Sequence, residues 1–160
     1  MFQIDGLSGT GKSTLCAELM RRGYRAVDSD SMFAYYGDPV TGLPSDVESR
    51  ANWIWEGQKL RAFARASHDV AVFICGGAMN QNEFVDLFTK RFTLRIDSDT
   101  MRQRLLARTN NSFGKDPEDL AEQLELNQHV AEDAKRNGSI VIDATRPIHV
   151  VADDVVRLSL

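Results

Sequence analysis

The segment from Gly6 to Ser13 reads GLSGTGKS and has the residue types and spacing of a phosphate-binding loop, G-x-x-x-x-G-K-S/T. Glycines let the backbone turn so that successive N–H groups point at phosphate oxygens, and the following helix start adds partial positive charge. Lys12 is expected to reach the β- and γ-phosphates and Ser13 to ligate Mg²⁺. The motif therefore predicts ATP and Mg²⁺ as cofactors, the alternative being a glycine-rich turn that binds nothing. The expected nucleotide-binding residues are Gly6, Ser8, Gly9, Thr10, Gly11, Lys12, Ser13 and Thr14.

Two carboxylates, Asp28 and Asp30, follow a short apolar run and are candidates for the acid that such a site needs. Many phosphate-loop NTPases take this acid from the end of another strand. Here the best candidate strand, Val70 to Cys75, ends in two glycines instead. Residues i and i+2 of a strand point to the same side, so both carboxylates are expected to face one cleft, Asp28 near Mg²⁺ and Asp30 near the phosphate acceptor. The alternative is that they only cap the turn that follows.

Arg104 and Arg108 stand four residues apart in a predicted helix that begins near Ser98 and leads into a polar loop. This spacing places both guanidinium groups on one helix face. Guanidinium stacks as a plane and binds phosphate as a fork, so the pair is suited to a nucleotide. Solvated surface arginines are the alternative.

Short apolar runs alternate with helical patterns along the chain, which is typical of an α/β fold with a parallel sheet. The predicted strands are Phe2 to Asp5, Tyr24 to Asp28, Val70 to Cys75, Phe92 to Asp97 and Ser139 to Asp143.

Helix signals fill the gaps between these strands. A helix is expected from Lys12 to Arg22, and another from the acidic start at Asp116 to the basic finish before Gly138. Ser45-Asp46-Val47-Glu48 has capping-box spacing and predicts a helix running to about Ala66.

The phosphate loop, the D-x-D at residues 28–30 and the strand ending in Gly-Gly-Ala at residues 76–78 together resemble the small-molecule and nucleoside monophosphate kinases of the P-loop superfamily. Shikimate kinase is the closest familiar pattern, and the arginine pair is similar to the lid entry of adenylate-kinase-like enzymes. The resemblance implies a three-layer α/β/α domain over residues 1–160, with a five-stranded parallel sheet in the order 2-3-1-4-5.

The resemblance also implies roles for individual residues. Asp28 would organise Mg²⁺ and Asp30 would contact the acceptor hydroxyl, while Gly76 and Gly77 would line the acceptor pocket. One arginine of the pair would cover the adenine and the other would reach the phosphates. A lid is expected at about residues 108–116. A loop after the fifth strand would pack against adenine through Thr145 and Arg146. The expected catalytic residues are Lys12, Asp30 and Arg108.

The acceptor segment is expected at about residues 31–66. Kinases of nucleoside monophosphates commonly place an arginine just after the third strand, but GGAMNQNEF has none there and offers Asn80 instead. The acceptor is therefore expected to carry little or no charge. Phe33 and Trp53 are candidates for the pocket wall, although aromatic residues are more often core residues. Arg50 is the arginine available for an acceptor carboxylate.

These observations predict an enzyme that transfers the γ-phosphate of ATP to a hydroxyl of a small metabolite such as a nucleoside, polyol or natural product. A nucleoside monophosphate kinase that uses Arg50 is the first alternative. An NTP-binding switch or assembly module is the second, and it belongs to a different functional class.

Composition narrows the possible partners of this 160-residue chain. A net charge of −4 gives no overall positive field, so nucleic acid is not expected as the main partner. Cys16 and Cys75 show neither metal-ligand nor disulfide spacing, and no signal peptide or membrane span is evident. We expect a cytoplasmic protein, monomeric or homodimeric, whose partner is a small-molecule acceptor.

Overall fold

The computed structural model describes residues 1–109 and 113–160. Strands and helices alternate through most of these residues. The strands are β1 (Phe2–Gly6), β2 (Arg25–Asp28), β3 (Ala34–Tyr36), β4 (Trp53–Trp55), β5 (Val72–Cys75), β6 (Lys90–Arg95) and β7 (Ile140–Asp143). The helices are α1 (Lys12–Arg21), α2 (Ser29–Met32), α3 (Gly57–Ala66), α4 (Ser98–Ala107), α5 (Pro117–Arg136) and α6 (Ile148–Ser159). Two 3₁₀ segments cover Arg50–Asn52 and Gln81–Leu87.

Five strands form one parallel sheet in the order β2-β5-β1-β6-β7. Counted among the parallel strands alone, this order is 2-3-1-4-5, which confirms the expected topology. The sequence did not predict the additional two-stranded antiparallel ribbon of β3 and β4. Within the described residues, no helix combines the length and the apolar character needed to cross a bilayer.

One face of the sheet forms the larger of two apolar clusters, here called the main core, beneath α1 and α6. Register places Phe2 beside Phe73, and Ile4 beside Cys75 and Phe92, so these side chains point to the same side. They meet apolar residues of the two helices, including Leu15, Leu19, Val151 and Val155. The helix that carries the phosphate loop is thereby fixed to the sheet.

The opposite face of the sheet is divided into an apolar half and a polar half. Over β5, Val72 and Ile74 enter a second core that also contains Phe33, Trp55, Leu60, Phe84 and Phe88. Over the neighbouring strand, Gln3 and Asp5 occupy this face because they alternate with Phe2 and Ile4. The polar half lies directly below the carboxyl end of β1, where the phosphate loop begins.

The helix predicted from Ser45 to Ala66 is wrong over its first half. The hydroxyl of Ser45 accepts from the backbone N–H of Val47 instead of capping a helix, and the regular helix begins only at Gly57. Between them, Trp53–Trp55 pairs antiparallel with β3. Burial of Trp55 in the second core outweighs the local helix signal, and aromatic residues favour strands.

The other helix ends agree with the sequence patterns. The helix α1 is followed by Gly23 at φ +86°, a backbone conformation that favours glycine. At the start of α5, the side chain of Asp116 accepts from the N–H of Glu118 at 2.9 Å, with Pro117 in the first turn. These observations account for the C-terminal end of α1 and the N-terminal end of α5.

Candidate active site

The phosphate loop connects β1 to α1 and forms the floor of a cavity of about 520 Å³. Gly9 and Gly11 have φ values of +83° and +98°, which side chains rarely tolerate. The volume lies in the range of small-molecule sites. Its lining consists of Ser8, Gly9, Thr10, Gly11, Lys12, Ser13, Thr14, Asp30, Leu94, Arg104, Arg108, Ala144, Arg146, Ile148 and Val151. Of the expected nucleotide-binding residues between 6 and 14, only Gly6 lies outside this lining.

The ammonium group of Lys12 is folded back onto the loop. It donates to the carbonyl of Gly6 at 2.6 Å and to that of Leu7 at 3.1 Å. Burial lowers the pKa of Lys12, and the carboxylates of Asp5, Asp30 and Asp28 oppose this shift. The carboxylates favour the charged form of Lys12, and a cation on the cavity floor is suited to phosphate oxygens.

Asp28 ends β2 and caps the short helix α2. One of its oxygens accepts from the backbone N–H of Asp30 at 2.9 Å. Asp30 therefore belongs to the first turn of a helix, and the i, i+2 strand argument was wrong as the reason for their proximity. Asp28 therefore caps the turn, as the alternative predicted. Both carboxylates also oppose the lowering of the Lys12 pKa, so both interpretations apply.

Asp30 lines the cavity together with the phosphate loop. The indole N–H of Trp53 donates to its Oδ1 at 3.4 Å, and Trp53 packs edge-on against Tyr36 at 4.9 Å between ring centroids. Burial raises the pKa of Asp30, and the Trp53 hydrogen bond and Lys12 oppose the rise. A carboxylate with a raised pKa is suited to accept a proton.

Two side chains offer donors that suit a Mg²⁺ ion whose other ligands are water and phosphate oxygens. Ser13 and Asp28 offer a hydroxyl and a carboxylate oxygen, which are the hard donors that Mg²⁺ prefers. Within the described residues, no group of three or more His, Cys, Asp or Glu could hold a metal.

The predicted arginine pair lies on one side of the cavity. Arg104 donates to the carbonyl of Ala144 at 3.1 Å, and Arg108 donates to the hydroxyl of Ser8 at 3.3 Å. Arg108 also donates to the backbone carbonyl of Phe113, the first described residue after the gap at 110–112. Burial lowers the pKa of Arg108. The two side chains connect the predicted lid entry to the phosphate loop.

The predicted lid at about residues 108–116 includes residues 110–112, which lie outside the described residues. The described part, 113–116, packs back on the helix before it. Gly114 lies against Leu105 and adopts φ +80°. Lid closure remains a prediction.

The predicted adenine loop is only partly directed at the cavity. Arg146 lines the cavity and donates to Asp154 at 2.6 Å. The hydroxyl of Thr145 donates instead to Asp143 at 2.6 Å, and the Thr145 N–H donates to the same oxygen. Thr145 therefore closes the turn after β7 and is not among the lining residues.

The acceptor-side turn, defined here as residues 76–81, follows β5 and runs beside Asp30 and Asp5. A Cβ atom at residue 76 would lie 2.0 Å from Ser29 Oγ and 3.0 Å from Asp30 Oδ1. A Cβ atom at Gly77 would lie 2.3 Å from Asp5 Oδ1. Both glycines are thus needed for close backbone approach to carboxylates.

Three of the predicted acceptor residues have other roles. Phe33 is 2% exposed and packs edge-on against Phe63 in the second core, so it offers no surface to a ligand. Asn80 uses its amide oxygen and nitrogen to bind the backbone of Trp55 at 2.9 and 3.0 Å. Arg50 lies 3.8 Å from Glu122 and faces a second cavity of about 270 Å³, away from Lys12. Trp53 is the predicted aromatic residue that the structure brings to Asp30.

Sequence reasoning missed two residues beside this site, Asp5 next to the phosphate loop and Gln81 at the end of the acceptor-side turn. Asp5 is the carboxylate that most strongly opposes the lowering of the Lys12 pKa. The side-chain amide of Gln81 donates to Asp5 at 2.9 Å. The available signal was an acidic residue immediately before Gly6, at the end of a buried strand. Both residues line the second cavity and are not among the lining residues of the larger one.

Comparison with protein families identifies one that extends over most of these elements. The model of AAA_18, described as an AAA domain, matches residues 3–125. The chain belongs to this family. The matched part of this AAA domain runs from β1 into α5 and includes the phosphate loop, Asp28, Asp30 and the arginine pair.

Solved structures share the fold of this AAA domain at low sequence identity. Shikimate kinase from Acinetobacter baumannii in complex with shikimate is 16% identical at a TM-score of 0.63, with 98% of this chain and 90% of that chain covered. Deoxyadenosine kinase from M. mycoides with bound dATP is 16% identical at 0.57, covering 98% and 97%. A sugar kinase from Janibacter sp. HTCC2649 is 18% identical at 0.57, covering 98% and 91%. The predicted resemblance to P-loop kinases is confirmed at the level of the fold.

Comparison of this AAA domain with curated protein sequences gives no match.

Proposed function

We propose that this protein is an ATP-dependent kinase that transfers the γ-phosphoryl group to a hydroxyl of a small, weakly charged metabolite. The observation that carries the proposal is that Lys12 and Asp30 line the same cavity as the phosphate loop. A phosphate-binding cation and a potential proton acceptor therefore share one cleft. Phosphoryl transfer needs positioning and charge stabilisation more than covalent participation by the protein.

Each side chain has a separate task in this proposal. The loop N–H groups and Lys12 bind the phosphates, and Arg108 stabilises charge on the transferred group. Asp30 orients the acceptor hydroxyl and accepts its proton, while the Trp53 indole N–H holds the carboxylate in place. Arg104 and Arg146 border the nucleotide side of the cavity.

Mg²⁺ would be held by Ser13 and Asp28 together with phosphate oxygens. When bound, it neutralises charge on the phosphates. The chain's own contribution is to orient these two oxygen donors, Ser13 at the start of α1 and Asp28 at the end of β2.

The structure supports an acceptor without a phosphate group. The acceptor-side turn contains no arginine. Arg50, on which a nucleoside monophosphate kinase would depend, lies outside the lining of the larger cavity. The similar structures named above include kinases described as acting on shikimate, deoxyadenosine or a sugar, which supports a small-molecule acceptor for this chain.

The proposal extends to the setting of the reaction. A net charge of −4 supports a small-molecule partner over nucleic acid. The buried free thiols of Cys16 and Cys75 support a reducing, cytoplasmic location. We propose a monomer or homodimer.

The proposal is tested by measuring ADP formation with Mg²⁺ across nucleosides, nucleotides, sugars, polyols and shikimate-like acids. Mass spectrometry of each acceptor shows whether it gains a phosphoryl group. We expect ATP consumption that requires one acceptor class and is abolished by Lys12→Ala, with the fold retained as judged by circular dichroism. ATP hydrolysis that responds only to a macromolecule would instead favour a switch or assembly module.

A further inference from the structure

The carboxylate of Asp5 joins the two halves of the candidate active site. Its Oδ1 accepts from the backbone N–H of Gly6, the first residue of the phosphate loop, at 2.7 Å. Its Oδ2 accepts from the side-chain amide of Gln81, the last residue of the acceptor-side turn, at 2.9 Å. One side chain therefore fixes the start of the ATP-binding loop and the end of the turn beside the acceptor.

The acceptor-side turn also lies against this carboxylate through its backbone. A Cβ atom at Gly77 would lie 2.3 Å from Asp5 Oδ1 and 3.0 Å from the Gln81 amide oxygen. At the other end of the turn, the N–H of Gly76 donates to the carbonyl of Ile4 at 2.9 Å. The turn is thus held to β1 along its length.

Gln3 fixes the far side of Gln81. The Gln3 amide N–H donates to the Gln81 oxygen at 2.7 Å, and Gln3 is only 2% exposed. Gln3 and Asp5 lie two residues apart on one strand, so their side chains point to the same side of the sheet and hold the Gln81 amide between them. A half-buried amide whose nitrogen and oxygen both have hydrogen-bond partners has little freedom to move.

We propose that Asp5 and Gln81 are positioning residues that set the distance between the transferred phosphoryl group and the acceptor hydroxyl. This inference rests on the proposed kinase function. Asp30 faces the acceptor-side turn at Gly76, so a shift of the turn relative to Gly6 displaces the acceptor from the phosphate. A displacement of about 1 Å in such a geometry can reduce a rate about 100-fold.

The hydrogen-bonded side chains of Gln3, Gln81 and Asp5 allow the charge of Asp5 to be removed without displacing the acceptor-side turn. In Asp5→Asn the new oxygen can still accept from Gly6, and the new N–H₂ group can donate to Gln81 if the Gln81 and Gln3 amides both rotate by half a turn. Amides have a donor and an acceptor of nearly the same shape, so the whole chain reverses without loss of a hydrogen bond. Asp5→Asn thus removes the charge and preserves the connection.

Gln81→Met breaks the connection at constant side-chain length. The matched control is Gln58→Met, the same exchange at an exposed position of α3. Thermal unfolding of all three variants shows whether each one folds, and kinetics are compared at a temperature where all are folded. Hydrogen exchange of residues 76–82 is measured with Mg²⁺ and a non-hydrolysable ATP analogue.

In the wild type and Gln58→Met we expect the ATP analogue to slow exchange in residues 76–82. In Gln81→Met we expect this protection to disappear, although the phosphate loop is still protected. With an acceptor we expect kcat to fall about 10- to 100-fold in Gln81→Met while KM for ATP stays unchanged. Asp5→Asn should retain the protection of residues 76–82.

Retained protection of residues 76–82 and unchanged kcat in Gln81→Met would overturn the inference. A Gln81→Met variant that only lowers the unfolding midpoint would likewise assign the amide a purely structural role. The exchange measurement needs no acceptor, so it tests the hydrogen-bonded connection between Asp5 and Gln81 even if no acceptor is phosphorylated. An absence of phosphorylated acceptor in the wild type would count against the proposed function instead.

Discussion

Gly76→Ala tests whether close backbone approach at the acceptor-side turn is required for the site. Gly76 adopts φ +138°, and its added methyl group would meet Ser29 Oγ at 2.0 Å and Asp30 Oδ1 at 3.0 Å. Ser29 is fully buried and cannot move aside into solvent. We therefore expect both a loss of stability and a displaced Asp30 carboxylate.

Two energies combine in this variant. A non-glycine residue in such a backbone conformation costs about 1–3 kcal/mol. Insertion of a methyl group into a filled space costs about 1–3 kcal/mol more, so the free energy of unfolding should fall by about 2–6 kcal/mol. Gly23 separates the two costs because it has φ +86° with no atom within 4 Å of its Cβ position. Gly23→Ala should lose only the backbone part.

Urea unfolding at 25 °C of Gly76→Ala, Gly23→Ala and Gly76→Ala/Ser29→Ala measures these differences. Ser29 Oγ has no hydrogen-bond partner among the described residues, so Ser29→Ala alone should be neutral or stabilising. The double variant should recover part of the loss, and Gly76→Ala should lower kcat more than it weakens ATP binding. Equal stability of Gly76→Ala and Gly23→Ala would show that the turn relaxes freely, and would refute the reasoning.

Three further variants test individual side chains. Burial raises the pKa of Asp30 above its ordinary value, so the carboxylate is lost as pH falls through that raised pKa. The value of kcat/KM should decline there, and Asp30→Asn should remove this acid limb and lower kcat about 10²–10⁴-fold. A pH–rate profile showing the same limb in Asp30→Asn would assign it to another group. Asn80→Ala should cost about 1–3 kcal/mol in urea unfolding because two backbone groups of Trp55 lose their partner. Arg108→Lys keeps the charge but loses the fork that contacts Ser8, so kcat/KM for ATP should fall about 10- to 100-fold; equal values in steady-state assays would contradict the role of the fork.

The nucleotide half of the site could be predicted from sequence because its determinants are local. The phosphate loop is eight consecutive residues between a strand and a helix, and Gly9 and Gly11 adopt the conformations that the motif requires. Helical spacing predicted that the two arginines share one side, and the phosphate loop and the resemblance linked them to a nucleotide. Both line the cavity, although α4 ends at Ala107, one residue before Arg108. The sheet order followed from the resemblance, not from the apolar pattern.

The acceptor half depends on contacts between residues distant in sequence, which local patterns do not show. Gln81 reaches Asp5 across 76 positions, and Trp53 reaches Asp30 across 23. The prediction of a helix from Ser45 was wrong because burial of Trp55 against Phe84 and Phe88 determines the conformation of that segment. An aromatic residue such as Phe33 can line a pocket or belong to the core. Its burial places it in the core, and only the tertiary structure shows this burial.

The division of the apolar interior into two clusters bears on how new acceptor preferences can evolve. Alternate residues of β5 enter opposite clusters, Phe73 the main core and Ile74 the second. Substitutions without shared contacts have nearly additive effects on stability. Replacements around Trp55 and Phe84 can therefore reshape the acceptor half while the helix behind the phosphate loop keeps its packing. In the proposed kinase, a change of acceptor preference would therefore leave the packing behind the phosphate loop in place.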